Sequence, residues 1–316
     1  MSDRKTIAVV GATGSQGGGL VRAILADKSG EFRVRALTRD TKSPKAQELQ
    51  QAGAEVLHAD VDDVESLKHA FEGAHGVFGV TFFWNHFSPE RETAQGTAIA
   101  QAAAATGVKH AIWSTLEDTR KAYPLNATRM PTLMGRYKVP HLDSKADVDH
   151  VFSDLGVPTT YLLTSFYWDN FIHFGMGPKR GVDGKLTLSL PMADAPLGGI
   201  TAEDIGRCAF GIFRRGNEFV GKRVGIVGEF LTGQEIASRF TEALKESVAY
   251  QAVPSDVYRG LGFPGAEDLG NMFQFFAEQE KDFAAARPVQ LSRSLHPKLQ
   301  DLRTWLAENK SHLKFD

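Results

Sequence analysis

The chain has 316 residues, 23% of them charged, with a formal net charge of -2. That length can bury a large core in one large or two modest domains, and the near-neutral balance gives no field that would favour duplex DNA or an anionic membrane surface. No apolar run approaches a membrane span, residues 1–5 carry charge and lead straight into a strand rather than a targeting segment, and the lone Cys208 suits a reducing cytoplasm.

An apolar run at 7–10 meets a glycine turn, and helical spacing follows at Leu20, Val21, Ile24 and Leu25, so strand, turn and helix are expected in that order. Gly11, Gly14 and Gly17 fall in a G-x-x-G-x-x-G pattern. Their missing Cβ atoms allow a tight turn, close approach of a ligand to the backbone, and close packing of helix on strand. The helix N-terminus offers unpaired N–H groups and partial positive charge to a pyrophosphate. A purely structural turn is the alternative, but the place of the pattern between a buried strand and a helix makes dinucleotide binding the expectation. Strands are then predicted at 33–38, 55–58, 76–80, 110–113 and 159–164. Helices are predicted between them, the first opened by Ser43-Pro44 as N-cap and first helical position. Alternation of this kind predicts an α/β chain with a Rossmann-type doubly wound parallel sheet.

Ligands of such sheets bind beyond the carboxyl ends of the strands. The second strand ends in Thr38-Arg39 rather than an acidic residue, so Arg39 can pair with a ribose 2′-phosphate, and NADP(H) is expected over NAD(H). Other strand ends nominate Asp60 and Val61, then Thr81, Phe82 and Phe83, then Ser114, then Tyr167, Trp168 and Asn170. Each also has a bland reading: Asp60 as a helix cap, the aromatics as core under a loop.

Short-chain dehydrogenases place a tyrosine four residues before a lysine on a helix. None of the six tyrosines here has that partner. His141-Leu-Asp-Ser-Lys145 stands instead, with both side chains on one helix face. Lys145 can hold the nicotinamide ribose, and His141 is either a proton donor or inert filler.

Beyond Thr164 the alternation becomes irregular, which predicts a smaller α+β lobe at 166–316 packed on a dinucleotide-binding part at 1–165, with a blurred boundary and strands that could be shared. Strands are expected at 186–190, 223–227 and 248–253, the last two pairing side by side. Thr201 should open a helix, and Thr232 with Glu235 should form a capping box. Met272, Phe273, Phe275 and Phe276 read as core, or as a substrate pocket or dimer surface. Leu299, Leu302, Trp305 and Leu306 give a final helix that docks on the body. No H-E-x-x-H, paired C-x-x-C or G-x-S-x-G pattern supports a metal or a serine nucleophile.

Gly11-Ala-Thr-Gly-Ser-Gln-Gly17, Thr38-Arg39, Gly53-Ala-Glu-Val56, Asp60-Val-Asp-Asp63 and His141-x-x-x-Lys145 resemble the NmrA-like family of atypical short-chain dehydrogenases. Tyr167-Trp-Asp-Asn170, Leu261-Gly-Phe-Pro-Gly-Ala266 and Asn271-Met-Phe273 resemble its NADPH-sensing, HSCARG-type branch. The resemblance implies NADP(H) held by Gly11, Ala12, Thr13, Gly14, Ser15 and Gln16 of the loop that ends at Gly17. It also implies contacts from Arg39, Asp60, Val61, Thr81, Phe82, Phe83, Lys145, Tyr167, Trp168 and Asn170. Val61 stands where the sensor branch carries a polar residue. Residues 117–140, with five basic side chains, look long for the family and read as a solvated loop or as a flap over partner or cofactor. Two functions follow, and the missing tyrosine favours the first. One is a cytoplasmic redox-sensing regulator that binds a regulatory protein, with a homodimer as one expected form. The other is an NADPH-dependent reductase of a small carbonyl, quinone or enone, with Ser114 or His141 polarising the substrate.

Overall fold

The computed structural model describes residues 4–315; residues 1–3, part of the charged lead-in, lie outside the described residues. The alternating signals of the first half become β1 (Lys5–Val9), α1 (Ser15–Leu25), β2 (Phe32–Thr38), α2 (Pro44–Gln51), β3 (Glu55–His58), α3 (Val64–Phe71), β4 (Gly76–Gly79), α4 (Pro89–Ala105), β5 (His110–Thr115), α5 (Pro140–Asp154) and β6 (Thr159–Leu163). The second half adds β7 (Phe166–Tyr167), α6 (Asn170–His173), β8 (Lys179–Arg180), β9 (Leu186–Leu190), β10 (Leu197–Ile200), α7 (Ala202–Arg214), β11 (Arg223–Gly225), β12 (Glu229–Leu231), α8 (Gly233–Leu244) and β13 (Val248–Ala252). Helices follow in succession from there: α9 (Ser255–Arg259), α10 (Ala266–Glu278), α11 (Glu280–Ala285), α12 (Val289–Leu295) and α13 (Leu302–Asn309).

The main sheet is all parallel, in the order β11-β6-β5-β4-β1-β2-β3. The winding reverses between β1 and β4, which opens a crevice at their carboxyl ends. Alternation along β1 feeds two cores. Ile7 and Val9 pack with Leu20 and Val21 of α1 and Ile205 of α7, while Ala8 and Val10 pack with Leu67, Ile99 and Val148 on the other face. The expected caps form: Ser43 accepts from the Ala46 N–H, Thr201 from Asp204, and Thr232 closes a capping box with Glu235. Asp63, rather than Asp60, caps α3.

Helix α7 from the second half lies directly on α1. A Cβ at Gly206 would stand 2.1 Å from the Leu20 nitrogen, and one at Gly19 would stand 2.6 Å from the Glu203 oxygen. β11 likewise extends the main sheet from the second half. Among the described residues two small sheets complete the set, β12-β10-β7 and β13-β9-β8. Here the expected pairing of 223–227 with 248–253 is corrected. Val224 joins the core under β6, whereas Val248 shares a core with Leu186, Leu188, Leu190 and the α8 residues Ile236 and Phe240, so β13 runs parallel to β9.

Residues 117–140 are a loop exposed over most of 121–136 but pinned to the body, with Tyr123, Met130, Tyr137 and Lys138 buried. The Asp143 carboxylate accepts from Thr119 N (2.8 Å) and Thr119 Oγ1 (2.7 Å) at one end and from Lys138 N (2.8 Å) and Val139 N (3.1 Å) at the other. Helix α10 grips the same segment. Asn271 Nδ2 donates to the Pro131 and Lys138 carbonyls at 3.0 and 2.6 Å, and Gln274 Nε2 donates to the Arg129 carbonyl at 3.0 Å. Backbone polar groups that a loop would leave to water are thereby paired inside the protein.

Cys208 is buried in α7, and burial pushes its thiol well above the usual range, which leaves it unreactive. His110 opens β5 with Nε2 2.8 Å from Thr160 Oγ1, and burial lowers its pKa from 6.5 to about 4, helped by His75. Between those values the unfolded chain takes a proton that the native ring refuses, so stability falls as pH drops from 6.5 towards 4. A depression of this size is worth about 3 kcal/mol. Urea denaturation at pH 4.5 and 7.5 should show a smaller loss on acidification for His110→Gln than for the unaltered protein; equal losses would reject the assignment.

Candidate cofactor cleft and adjoining cavity

The glycine turn forms as the sequence pattern requires. Gly11 has φ 65°, a left-handed conformation, and Gly14 N donates to the Gly11 carbonyl at 2.9 Å. A Cβ at Gly17 would fall 2.4 Å from the Gly11 oxygen. Gly14 caps α1 without a side-chain hydrogen bond, and the first turn of α1 carries no acidic residue. The orphan N–H groups and the dipole are thus left for an anion, and a dinucleotide pyrophosphate fits this cradle. Gln16 ties it to the strand ends: its Oε1 accepts from Ser114 Oγ at 2.8 Å, and its Nε2 donates to the Tyr167 hydroxyl at 2.5 Å. Burial pushes the Tyr167 phenol upward. Ser114 is therefore committed to Gln16 and does not line the cavity beyond.

Lys145 projects from α5 into a polar cluster. Its Nζ donates to the Thr81 carbonyl at 3.1 Å and to Thr81 Oγ1 at 2.7 Å, and it pairs with Glu92 Oε1 at 2.6 Å. Glu92 is fully buried. The His86 ring accepts from Ser88 N through Nδ1 at 3.1 Å, so its Nε2 carries the proton and faces Glu92 Oε2 at 3.4 Å. Sequence reasoning missed Glu92. The available signal was its place on the buried stripe of α4, one turn before Gln95 and Gly96 and two before Ile99.

His141 lies one turn before Lys145. Its Nδ1 is 2.5 Å from Asp268 Oδ1, and its backbone N–H donates to Asp268 Oδ2 at 3.1 Å. The Trp84 and Phe83 rings stand 4.7 and 6.0 Å from the imidazole. Asp268 was also missed, although it shares the buried face of α10 with Asn271, Met272 and Phe275.

One cavity of about 530 Å³ joins these parts. It begins at Gly11, Gly14, Ser15, Gln16 and Gly17, passes Thr81 and Lys145, and opens into a chamber walled by Phe82, Phe83, Trp84, Phe166, Met272 and Phe276, with His141, Tyr167 and Asn170 on its sides. Phe82 is exposed at the mouth. Arg39, Asp60 and Val61 sit at the ends of β2 and β3, outside this lining. Arg39 is exposed and has no ion-pair partner among the described residues. Ala12 is buried against the sheet, and Thr13 stays on the loop. Trp168 corrects the expectation of an indole in the cleft. Its ring turns into the core that Val248 shares with Leu186, Leu188 and Leu190, stacked 5.9 Å from Phe171 and filling the space that a Gly199 Cβ would need. Among the described residues, no group of three His, Cys, Asp or Glu could hold a metal ion, and no helix is long and apolar enough to cross a membrane.

Comparison with known proteins gives the same architecture. The profile of the NmrA-like family matches residues 3–306. The NmrA-like family domain-containing oxidoreductase hkm9 of Aspergillus hancockii is 30% identical over 288 residues, covering 85% of this chain and 82% of its own. NmrA, a negative transcriptional regulator solved in complex with NADP, superposes with a TM-score of 0.78 at 26% identity, covering 97% of this chain and 95% of its own. The Citrobacter sp. triphenylmethane reductase complexed with NADP(H) shares the fold, with a TM-score of 0.73 at 20% identity over 96% of this chain and 99% of its own. Because the match runs through the second half as well as the glycine loop, the chain belongs to the NmrA-like family of Rossmann-type, NAD(P)-binding proteins.

Proposed function

We propose that this protein is an NADP(H)-dependent reductase of a small apolar carbonyl, quinone or enone. The observation that carries the reading is the chamber itself: the cavity continues past Lys145 into a space walled by Phe82, Phe83, Trp84, Phe166, Met272 and Phe276, the apolar lining of a small-molecule pocket. The cofactor, when bound, supplies a hydride. Main-chain N–H groups at the start of α1 would hold its diphosphate, and Lys145, paired with Glu92, would exchange a Thr81 contact for a ribose hydroxyl. Arg39 pairs with the 2′-phosphate. The aromatic walls exclude water and fit a planar acceptor.

Two measurements test this. Titrations should show tighter binding of NADPH than of NADH, and Arg39→Ala should cost NADPH about 10-fold while leaving NADH unchanged, the low end for a charge-assisted contact at an exposed site. Tighter binding of NADH would reject the role of Arg39. NADPH oxidation should then be detectable with at least one member of a quinone, ketone and enone panel. Binding without any turnover would instead support a regulator of the HSCARG-type branch.

A further inference from the structure

We infer that His141 is the proton donor of this reduction, that Asp268 positions it, and that the substrate is accordingly a neutral acceptor whose oxygen must be protonated as hydride arrives. The inference rests on the reductase reading and concerns atoms which that reading leaves unassigned.

The Asp268 carboxylate holds His141 at two points, ring Nδ1 and backbone N–H, which fixes both the place and the rotamer of the imidazole. An ionised carboxylate only accepts, so Nδ1 must carry a proton. Nε2 has no hydrogen-bond partner among the described residues, and the ring lines the cavity, so this is the edge left for a substrate. Trp84 and Phe83 pack on the ring and keep it there. Of the competing donors, Ser114 gives its proton to Gln16, Lys145 directs its donors to Thr81 and Glu92, and Tyr167, whose hydroxyl accepts from Gln16 and keeps its own proton, is made a weaker acid by burial. His173 borders the cavity only at its exposed rim. His141 is also one helical turn from Lys145, which places the donor beside the ribose and hence near the reacting carbon.

In the step, hydride from the reduced nicotinamide forms a C–H bond at the carbonyl carbon, or at the β carbon of an enone. The π electrons move onto oxygen, which takes the proton from Nε2 of the doubly protonated ring. The acceptor is reduced, the nicotinamide is oxidised, and His141 returns to the neutral Nδ1–H form that Asp268 holds, to be reprotonated from solvent. A cationic acceptor such as a triarylmethane dye would need only the hydride.

The experiment compares the unaltered protein with His141→Gln, Asp268→Asn and Asp268→Glu. The acceptors are a neutral panel of ketones, enones and quinones and one triarylmethane dye cation, and NADPH affinity is measured alongside. The expected result is neutral-acceptor turnover that falls about 100-fold in His141→Gln and about 10-fold in Asp268→Asn, with NADPH affinity held within about twofold and partial recovery in Asp268→Glu. Independently of turnover, ¹⁵N-histidine spectra of the cofactor-free protein at pH 8 should show His141 protonated at Nδ1, with the Nε2–H form appearing in Asp268→Asn. Undiminished turnover in His141→Gln, reduction confined to the dye cation, or an Nε2–H ring in the unaltered protein would each overturn the assignment. NADPH binding with no turnover of any acceptor would instead bring down the reductase reading, and this inference with it.

Discussion

Replacing Gly17 with alanine should weaken NADPH binding at least about 100-fold, equivalent to about 2.7 kcal/mol. The new Cβ would sit 2.4 Å from the Gly11 oxygen, 2.8 Å from the Gly11 carbonyl carbon and 3.0 Å from the Val10 oxygen. All three are backbone atoms, so no flexible side chain can yield. Either α1 tilts away from β1 or Gly11 leaves its left-handed conformation, and both movements spoil the anion cradle. Gly14 provides the graded comparison. Its φ of -91° suits any residue, and a Cβ added there would find its nearest neighbour, the Gly11 oxygen, at 3.2 Å. Gly14→Ala should therefore cost under about 10-fold. Fluorescence titration with NADPH measures both; equal losses at the two positions would show that crowding by the Cβ is not the cause.

Removing the Lys145 side chain should damage the fold as well as the site. Lys145→Ala leaves the carboxylate of Glu92 with no cation at its Oε1, in a place with no access to water, and breaking a buried pair in this way costs about 3–5 kcal/mol. Lost activity in that variant would confound two effects. The double variant Lys145→Met/Glu92→Gln removes both charges and keeps similar volume, so it should recover most of the stability while cofactor affinity stays reduced. A double-mutant cycle in urea should give a coupling of at least about 2 kcal/mol between the two positions. Additive losses would mean that the pair contributes nothing as a unit, and Lys145 could then be read through activity alone.

The legible features were local ones. Three glycines at fixed spacing between an apolar run and a helical stripe announce the cradle. Ser43, Thr201 and Thr232 announce helix starts because a cap bonds within its own first turn. The illegible features are partnerships across the chain. Glu92 and Asp268 each sit on a helix where a carboxylate ordinarily faces water, and only packing of α4 and α10 against α5 turns them inward to Lys145 and His141. Strand β13 has the composition of a strand, but its neighbour is chosen by the core that Leu186, Leu188 and Leu190 share with α8. Trp168 sits at the expected strand end, yet the gap above Gly199 draws its ring the other way. Residues 117–140 look soluble because their buried contacts are made by polar groups elsewhere, Asp143, Asn271 and Gln274.

The grip of Asp143 on Thr119 and Lys138 makes the intervening stretch a closed belt with its buckle inside the protein. It carries a hairpin tip, closed by the pairing of Leu133 with Tyr137, where Met134 is exposed and Gly135 has φ 72°. Residues can be gained or lost at that tip with little penalty, since doubling a loop's length costs only about 0.6 kcal/mol. The same change between the buckle and α5 would pull the belt off α10. The fold thus offers one place where the chain can vary in length and evolve new contacts while the cleft beneath keeps its shape.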